Sequence, residues 1–485
     1  MSPLQCLPSD ILVIIMHYLD VRHLDILSRT CKTLHAAATQ FGWADHLRLN
    51  PRRCWSLSKA LDRWDARSQV KYHTLSDRAW ARCEFVARPL QRPWYGKLQP
   101  LLAISNSRLI VAAGNNLYSY GFSTADTNLA PAIHHECTYT FSSLEADLRG
   151  DITGIAFVPD GGLDSTLYVG FEDGRLERVM LPVPKSGQHK ALLEASSRYL
   201  QYMDWEVIES LSVSDDLLLS LSAAGTAKLF RLHQAAAAYE ISSINTEVRS
   251  WSSYVSSGSS TPYAAIGTSS ATPLVLYSIT NSEISPTPWA ILQASGKDAD
   301  RPRSSAVYGI STAPPSSPWG ASEQILVSGW YDGKVRVHDL RSSTRVGGGT
   351  SAQPAPLAPV LSIYDPWSFE PIYTLDCGGG ASAHIAAGSA RHSVVAFWDV
   401  RSPSSGWSVH APGNDSSPVY SLILESSRLF GANQSRSFIY DFVPGVTPST
   451  YPRLPVDRND GLQHKKDWDG VGYYVTKYPH SRGEV

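Results

Sequence analysis

One recurring pattern limits what this chain can fold into more than any other feature. From about Leu98 onward, an apolar run ends in small residues, usually with glycine. A turn follows, and a second apolar run carries an aromatic residue or an aspartate near its end. Seven copies are visible, at 109–122, 167–181, 217–232, 264–279, 325–341, 385–401 and 429–442, spaced about 40 to 60 residues apart. Short apolar runs bounded by turn residues read as strands, so each copy is a hairpin. A lone hairpin cannot bury its faces, and repetition at this period points to a propeller, a closed ring of small sheets. An open ring would leave bare sheet edges. Either Arg82–Val86 at the front or Val471–Tyr478 in the tail can supply the closing strand. Seven blades is the reading, with six or eight still open, because three copies are placed only by their position in the series.

The best copies carry more specific residues. One has Ser328-Gly329, a turn at Asp332-Gly333 and the strand VRVHDLR; another ends VVAFWDVR, with the pair Trp398-Asp399. The last keeps Tyr440-Asp441, and the second keeps the turn Asp173-Gly174. These copies resemble WD repeats. The expected fold is mainly β: a WD-repeat-like propeller behind an N-terminal three-helix module and a helical linker. The expected boundaries are a module at 4–49, a linker at 50–88, a propeller at 89–445 and a tail at 446–485.

Ahead of the ring stands a short segment with too much apolar surface for its size. Between Ile11 and Leu19 only His17 is clearly polar. A helix apolar all round is normally covered on all sides, and about 45 residues make a marginal core alone. Leu7-Pro8-Ser9-Asp10 reads as a helix start, since proline suits the first turn and the acid suits the dipole. Asp20 reads as the N-cap of a second helix, after which Leu24, Leu27, Cys31, Leu34 and Ala38 recur at three- and four-residue steps.

This segment resembles an F-box: a Leu-Pro opening, Ile-Leu after the acid, Tyr-Leu-Asp, a Leu-x-x-Leu step, then Cys-Lys and a terminal Trp43. The departure is Leu34, where the family often has tryptophan. The resemblance implies a three-helix fold that docks on the adaptor Skp and, through it, on a cullin scaffold of the ubiquitin-transfer machinery. The positions it assigns to Skp contact are Leu7, Pro8, Ile11, Leu12, Ile15, Leu19, Leu24 and Leu27. The competing reading is a helical cap packed on the chain's own ring.

The linker places Leu57, Leu61, Trp64, Leu75, Trp80 and Cys83 at helical intervals, and Arg52, Arg53, Arg63, Arg67 and Lys71 read as its solvated face. DRAWARCEF at 77–85, followed by 92–120, resembles the linker and first blade of the dactylin-type F-box/WD-repeat proteins. Ser252–Pro262, Ser311–Gly320 and Ser342–Pro359 read as surface loops.

A formal charge of −2 gives no bulk attraction to nucleic acid or anionic membrane. The run Ile11–Met16 is too short to span a bilayer and lacks a basic flank, so neither membrane span nor signal peptide is expected. The six cysteines form no C-x-x-C pair, which fits reduced thiols in a cytoplasmic or nuclear protein. Asn414-Asp415-Ser416 and Asn433-Gln434-Ser435 match the glycosylation pattern but carry little weight without secretion. No phosphate loop, nucleophile elbow or H-E-x-x-H zinc motif is present. His134-His135-Glu136-Cys137 reads as a polar loop in preference to a metal site.

Asp339/Arg341 and Asp399/Arg401 form Asp-x-Arg at strand ends. In WD-repeat proteins this resembles a box that docks on the damaged-DNA-binding adaptor of another cullin ligase; an ordinary strand end is the preferred reading. The expected function is therefore non-catalytic: Skp held by the front module and an unidentified target protein held by the ring, with no cofactor and no metal. The alternatives are a WD-repeat scaffold that spares its partner, a receptor for the other cullin adaptor, and a propeller enzyme with acids converging on the axis.

Overall fold

The computed structural model describes residues 7–481 apart from 125–129, 142–149, 185–186, 188, 194–197, 203–205, 234–237, 282, 295–303, 344–353, 414, 455–461 and 464–469. Leu4–Cys6 of the front module, Asn414 of one glycosylation pattern, and parts of the tail and of the loop at 342–359 lie outside the described residues.

The chain begins with helices α1 (Ser9–His17), α2 (Val21–Ser28), α3 (Lys32–Ala37) and α4 (Trp43–Leu49), the last two joined by a π-turn at Ala38–Gly42. Pro8 is the N-cap of α1. Asp20 caps α2, its carboxylate accepting from the His23 N–H at 2.8 Å. Leu12, Met16, Leu24, Leu34, Ala38 and Trp43 form one buried cluster, completed from outside the module by Val70. Leu34 is thus a full member of the core, so the residue that departs from the F-box pattern still fills its place. Gly42 sits where a Cβ would lie 2.8 Å from Leu24 Cδ1, so a larger residue there would have to displace the Leu24 side chain in the core.

Helices α5 (Ser58–Leu61) and α6 (Ala66–Ala81) follow. Asp65 caps α6, accepting from Ser68 N at 3.0 Å. Through Val70 and Ala66, α6 packs on the front module. Through Trp80, it packs on the ring.

Among the described residues, the strands form six sheets, of four, four, four, five, five and nine strands; the nine-stranded sheet is two sets joined where Ser269 and Ser270 pair with Ala306 and Ser305, which makes seven sets around the ring. Their innermost strands are Leu101–Ile104, Ile152–Phe157, Ile208–Ser214, Ser250–Ser256, Ser305–Thr312, Ile372–Gly378 and Val419–Leu424. Each touches the next, and the last touches the first, so the sets form a closed cycle. We number the blades in that order. Each repeat seen in the sequence coincides with the two middle strands of one blade, as with Ile325–Trp330 and Lys334–Asp339. These middle strands are covered on both faces, which is why they read as continuous apolar runs.

The ring closes from the front. Val86–Pro89 pairs antiparallel with Ser437–Asp441 as the outer strand of blade seven, Val86 opposite Asp441 and Pro89 opposite Phe438. Proline is tolerated there because an outer strand has one unpaired edge. The tail does not close the ring: Tyr473 N–H donates to Ala87 O at 2.9 Å, so the tail passes over the closing strand. Its strand Lys477–Pro479 then extends blade six by pairing with Ser402–His410.

Two expectations are corrected. Ser252–Ser256 is not a loop but most of the innermost strand of blade four. Its serines pair with those of blade three: Ser253 Oγ lies 3.0 Å from Ser210 Oγ, and Val255 N donates to Ser212 Oγ at 3.0 Å. Hydroxyl pairing lets a serine-rich run serve at a blade-to-blade contact. His134–Cys137 is not a loop either; it lies within the outer strand Ile133–Phe141 of blade one. Strand alternation sends neighbouring side chains to opposite faces, and Glu136 accepts from Ser119 Oγ at 2.6 Å while the Cys137 side chain is buried.

Candidate partner-docking surfaces

Helix α1 carries two apolar stripes. Leu12 and Met16 point inward and complete the module's core. Ile11, Ile14, Ile15 and Tyr18, spaced three, four and seven residues apart, share the other face. Ile11 is 39%, Ile14 55% and Tyr18 82% exposed, and Ile26 on α2 is 51% exposed. Isolated exposed apolar residues are ordinary; a stripe of them on one helix is the informative case.

The structure divides the sequence-assigned Skp positions. Pro8 and Ile11 are exposed; Leu7, Ile15, Leu19 and Leu27 are half-buried; Leu12 and Leu24 are buried inside the module. A contact role for Leu12 and Leu24 does not fit this burial: they hold α1 and α2 in place. Ile14, Tyr18 and Ile26, which were not assigned, are on the open surface. For Ile14 and Tyr18 the signal is their three- and seven-residue spacing from Ile11; Ile26, on α2, has no such signal.

The linker arginines are a second correction. Arg52 forks onto Asp77 of α6 at 2.6 and 2.8 Å and reaches Gly380 O at 3.0 Å. Arg53 donates to Cys377 O at 2.7 Å and to Thr312 Oγ1 at 2.6 Å. These two are docking residues between linker and ring, whereas Arg67 reaches Asp25 of α2 at 3.1 Å. Ser56 gives both its N–H (2.6 Å) and its hydroxyl (2.5 Å) to the Glu425 carboxylate. Beside it, fully buried Arg428 pairs with Asp441 at 3.0 Å and donates to Pro131 O at 2.7 Å. Burial pushes the Glu425 carboxyl up to about 7, against the Ser56 hydrogen bonds and the Arg428 charge. Trp80 seals the joint: its ring stacks on Phe442 at 3.7 Å, and its N–H donates to Ser426 O at 2.8 Å. Front module, linker and blades five to seven are thereby joined by buried contacts.

Both Asp-x-Arg pairs sit where the third strand of a blade ends. Each arginine folds back on its own aspartate, Arg341 at 2.9 and 2.8 Å and Arg401 at 2.9 and 2.6 Å. Arg341 also donates to Trp319 O at 2.9 Å. The Arg341 guanidinium holds the Asp339 carboxyl below the usual carboxylate range. Each pair is a closed ion pair that pins a strand end. Among the described residues no group of three potential metal-binding side chains converges, and no helix is long and apolar enough to cross a membrane.

The F-box-like family model matches residues 4–46. The N-terminal module is F-box-like. Comparison with curated proteins finds no match. Three solved structures are similar to the chain. One is Chaetomium thermophilum Sqt1 bound to the N-terminus of ribosomal protein L10, at 14% identity over 70% of this chain and 83% of that one, TM-score 0.47. Another is the WD40 propeller domain of Doa1, at 13% identity over 74% and 97%, TM-score 0.48. The third is the computationally designed Ika8 protein, at 13% identity over 73% and 99%, TM-score 0.45. The propeller architecture of this chain rests on its own strand pairing and closed cycle.

Proposed function

We propose that this chain is the substrate-recognition subunit of a Skp–cullin–F-box ubiquitin ligase, of the dactylin type. In this reading the F-box-like module binds Skp, the ring binds the target, and chemistry belongs to other subunits. The observation that carries it is the solvent-facing stripe Ile11, Ile14, Ile15 and Tyr18 on a module whose own core is complete without it. The dactylin assignment draws on the segment 77–85, whose Asp77, Trp80 and Phe85 all serve the joint.

Burying an aliphatic or aromatic side chain contributes about 1.5–3 kcal/mol. Four of them, already partly covered, contribute less than four times that, and association costs about 4–15 kcal/mol. Shape fit around the stripe must therefore add to its area. The chain's contribution to the reaction is positional: a stiff joint keeps a captured lysine at high effective concentration near the transfer site.

The test is direct capture of recombinant Skp adaptor by the full chain and by Ile11→Asp and Ile14→Asp variants. Both substitutions lie on the open surface, so the fold is kept and capture is lost. Undiminished capture by both variants refutes the reading.

A further inference from the structure

The rim opposite the linker holds a feature that the adaptor reading does not use. In blades two to seven the innermost strand begins with a bulge, where one extra residue interrupts the register. The six bulged residues are Thr153, Glu209, Trp251, Tyr308, Tyr373 and Tyr420, each half-buried. Bulges re-aim a side chain out of the sheet. Here the re-aimed rings meet from blade to blade: Trp251 and Tyr308 are 5.0 Å apart, Tyr308 and Tyr373 5.1 Å, Tyr373 and Tyr420 6.2 Å. Four consecutive blades thus contribute one aromatic arc along the inner circle of the ring.

The charges on this arc are nearly all spoken for. Arg249 lies 3.9 Å over the Trp251 ring and is paired with Glu209 at 2.9 Å. Its Nη1 is buried and has no acceptor, so that donor is not presented to the rim. The Trp251 N–H is committed to Ser269 Oγ at 2.7 Å. At the other end, the Asp415 charge adds to burial in raising the Tyr420 pKa, and the Asp415 carboxylate accepts from the Ser417 N–H at 2.8 Å. What remains is a run of half-buried tyrosine rings beside a carboxylate whose one hydrogen-bond donor is the neutral Ser417 N–H, at 2.8 Å.

We infer that this arc takes a lysine or arginine side chain from an extended segment of a partner protein, held against the Tyr373 and Tyr420 rings. Aromatic faces attract cations, and the Arg249–Trp251 stack shows that contact within the arc itself. The residual negative charge at Asp415 points to the same ligand. An acidic or phosphorylated segment would meet a guanidinium already neutralised by Glu209. The inference rests on the ring being the target-binding part of the chain.

The experiment titrates the full chain with fluorescein-labelled Gly/Ser nonapeptides bearing one central arginine, lysine, norleucine or phosphoserine, plus an oligothymidylate, read by anisotropy. The arginine or lysine peptide should bind roughly three- to thirtyfold tighter than the norleucine peptide, the range of one cation–π contact. Tyr373→Ala should erase that preference and Tyr373→Phe should keep it, with thermal midpoints recorded for both. If Tyr373→Ala does not fold, Tyr420→Ala serves instead. Equal affinity for norleucine, preference for phosphoserine or oligothymidylate, or a preference that survives loss of the ring overturns the inference. Skp is absent from this assay, so its result is separate from that of the capture test.

Discussion

Trp80→Ala is the sharpest test of the joint between linker and ring. The indole is 3% exposed, lies 4.5 Å from His384, stacks on Phe442, and meets Phe397 edge-on at 5.6 Å. Removing a buried tryptophan side chain costs about 3–5 kcal/mol in lost transfer and cavity terms. The Ser426 carbonyl then loses its donor at 2.8 Å, and an unsatisfied buried acceptor costs a further ~1–3 kcal/mol. The loss falls on one cluster that also contains Ala87 of the closing strand and Leu429 of blade seven, so ring closure is weakened together with the linker. Urea unfolding followed by circular dichroism should show a destabilisation of about 4–8 kcal/mol. Amide exchange should accelerate in α6 and along Val86–Pro89 together. Trp80→Phe keeps the stack and loses the N–H, so it should cost much less. A Trp80→Ala protein within about 1 kcal/mol of the parent, with unchanged exchange in α6, would show that the joint is held elsewhere.

Leu12→Ala should destabilise the front module by ~2–5 kcal/mol, because Leu12 is core, while Ile14→Ala should leave the urea midpoint within about 0.5 kcal/mol of the parent. Equal effects of the two on stability would contradict the division of α1 into an inner and an outer stripe. Acid stability should depend on Glu425. Its carboxyl, raised by burial to about 7, contributes stability that is full below the unfolded value of 4.5 and is lost as pH rises toward 7. His73 and His338, lowered by burial to about 3 and about 4, act in the opposite sense: their contribution is full above 6.5 and is lost as pH falls. Glu425→Gln removes only the first effect, so the variant should lose about 2 kcal/mol more than the parent between pH 7 and 5. Parallel stability curves for the two proteins would refute the assignment.

What was legible in the sequence follows from which residues announce themselves. The two middle strands of every blade were readable because they are buried on both faces and therefore nearly all apolar, as in LLLSLS at 217–222. The innermost strands were harder. Ser250–Ser256 is polar because its partners are serines of the neighbouring blade, and the sequence offers no sign of that pairing. On α1 both stripes are apolar, so periodicity yields two faces and no means of telling inside from outside; the F-box resemblance assigns contact to Leu12, and to Leu24 on α2, which are buried, and not to Ile14 and Tyr18, which are exposed. Arg52 and Arg53 read as a solvated face because their contacts on the ring, Gly380 O, Cys377 O and Thr312, lie more than 250 positions away. The aromatic arc was invisible for the same reason: its members sit one to a blade, and only the closed ring brings them together.

The position of the joint also bears on the Asp-x-Arg pairs. The linker meets the ring at the turns that follow the innermost strands, at Cys377–Gly380 and Glu425–Ser426. In an antiparallel blade those turns share a rim with the end of the third strand, where Asp339 and Asp399 lie. The Arg401 pKa is raised chiefly by its hydrogen bond to Asp399, and the charge of Asp77 on α6 adds to that rise. A second adaptor docking over Arg401 would therefore meet α6, and α6 is fixed to the ring by Arg52, Trp80 and the aromatic cluster around them. The same helix carries Val70 into the core of the F-box-like module. Moving α6 aside to admit another partner would strip that core as well as the joint. The rim bearing Asp-x-Arg is thus already used by the chain's own linker, and the aromatic arc lies on the opposite rim.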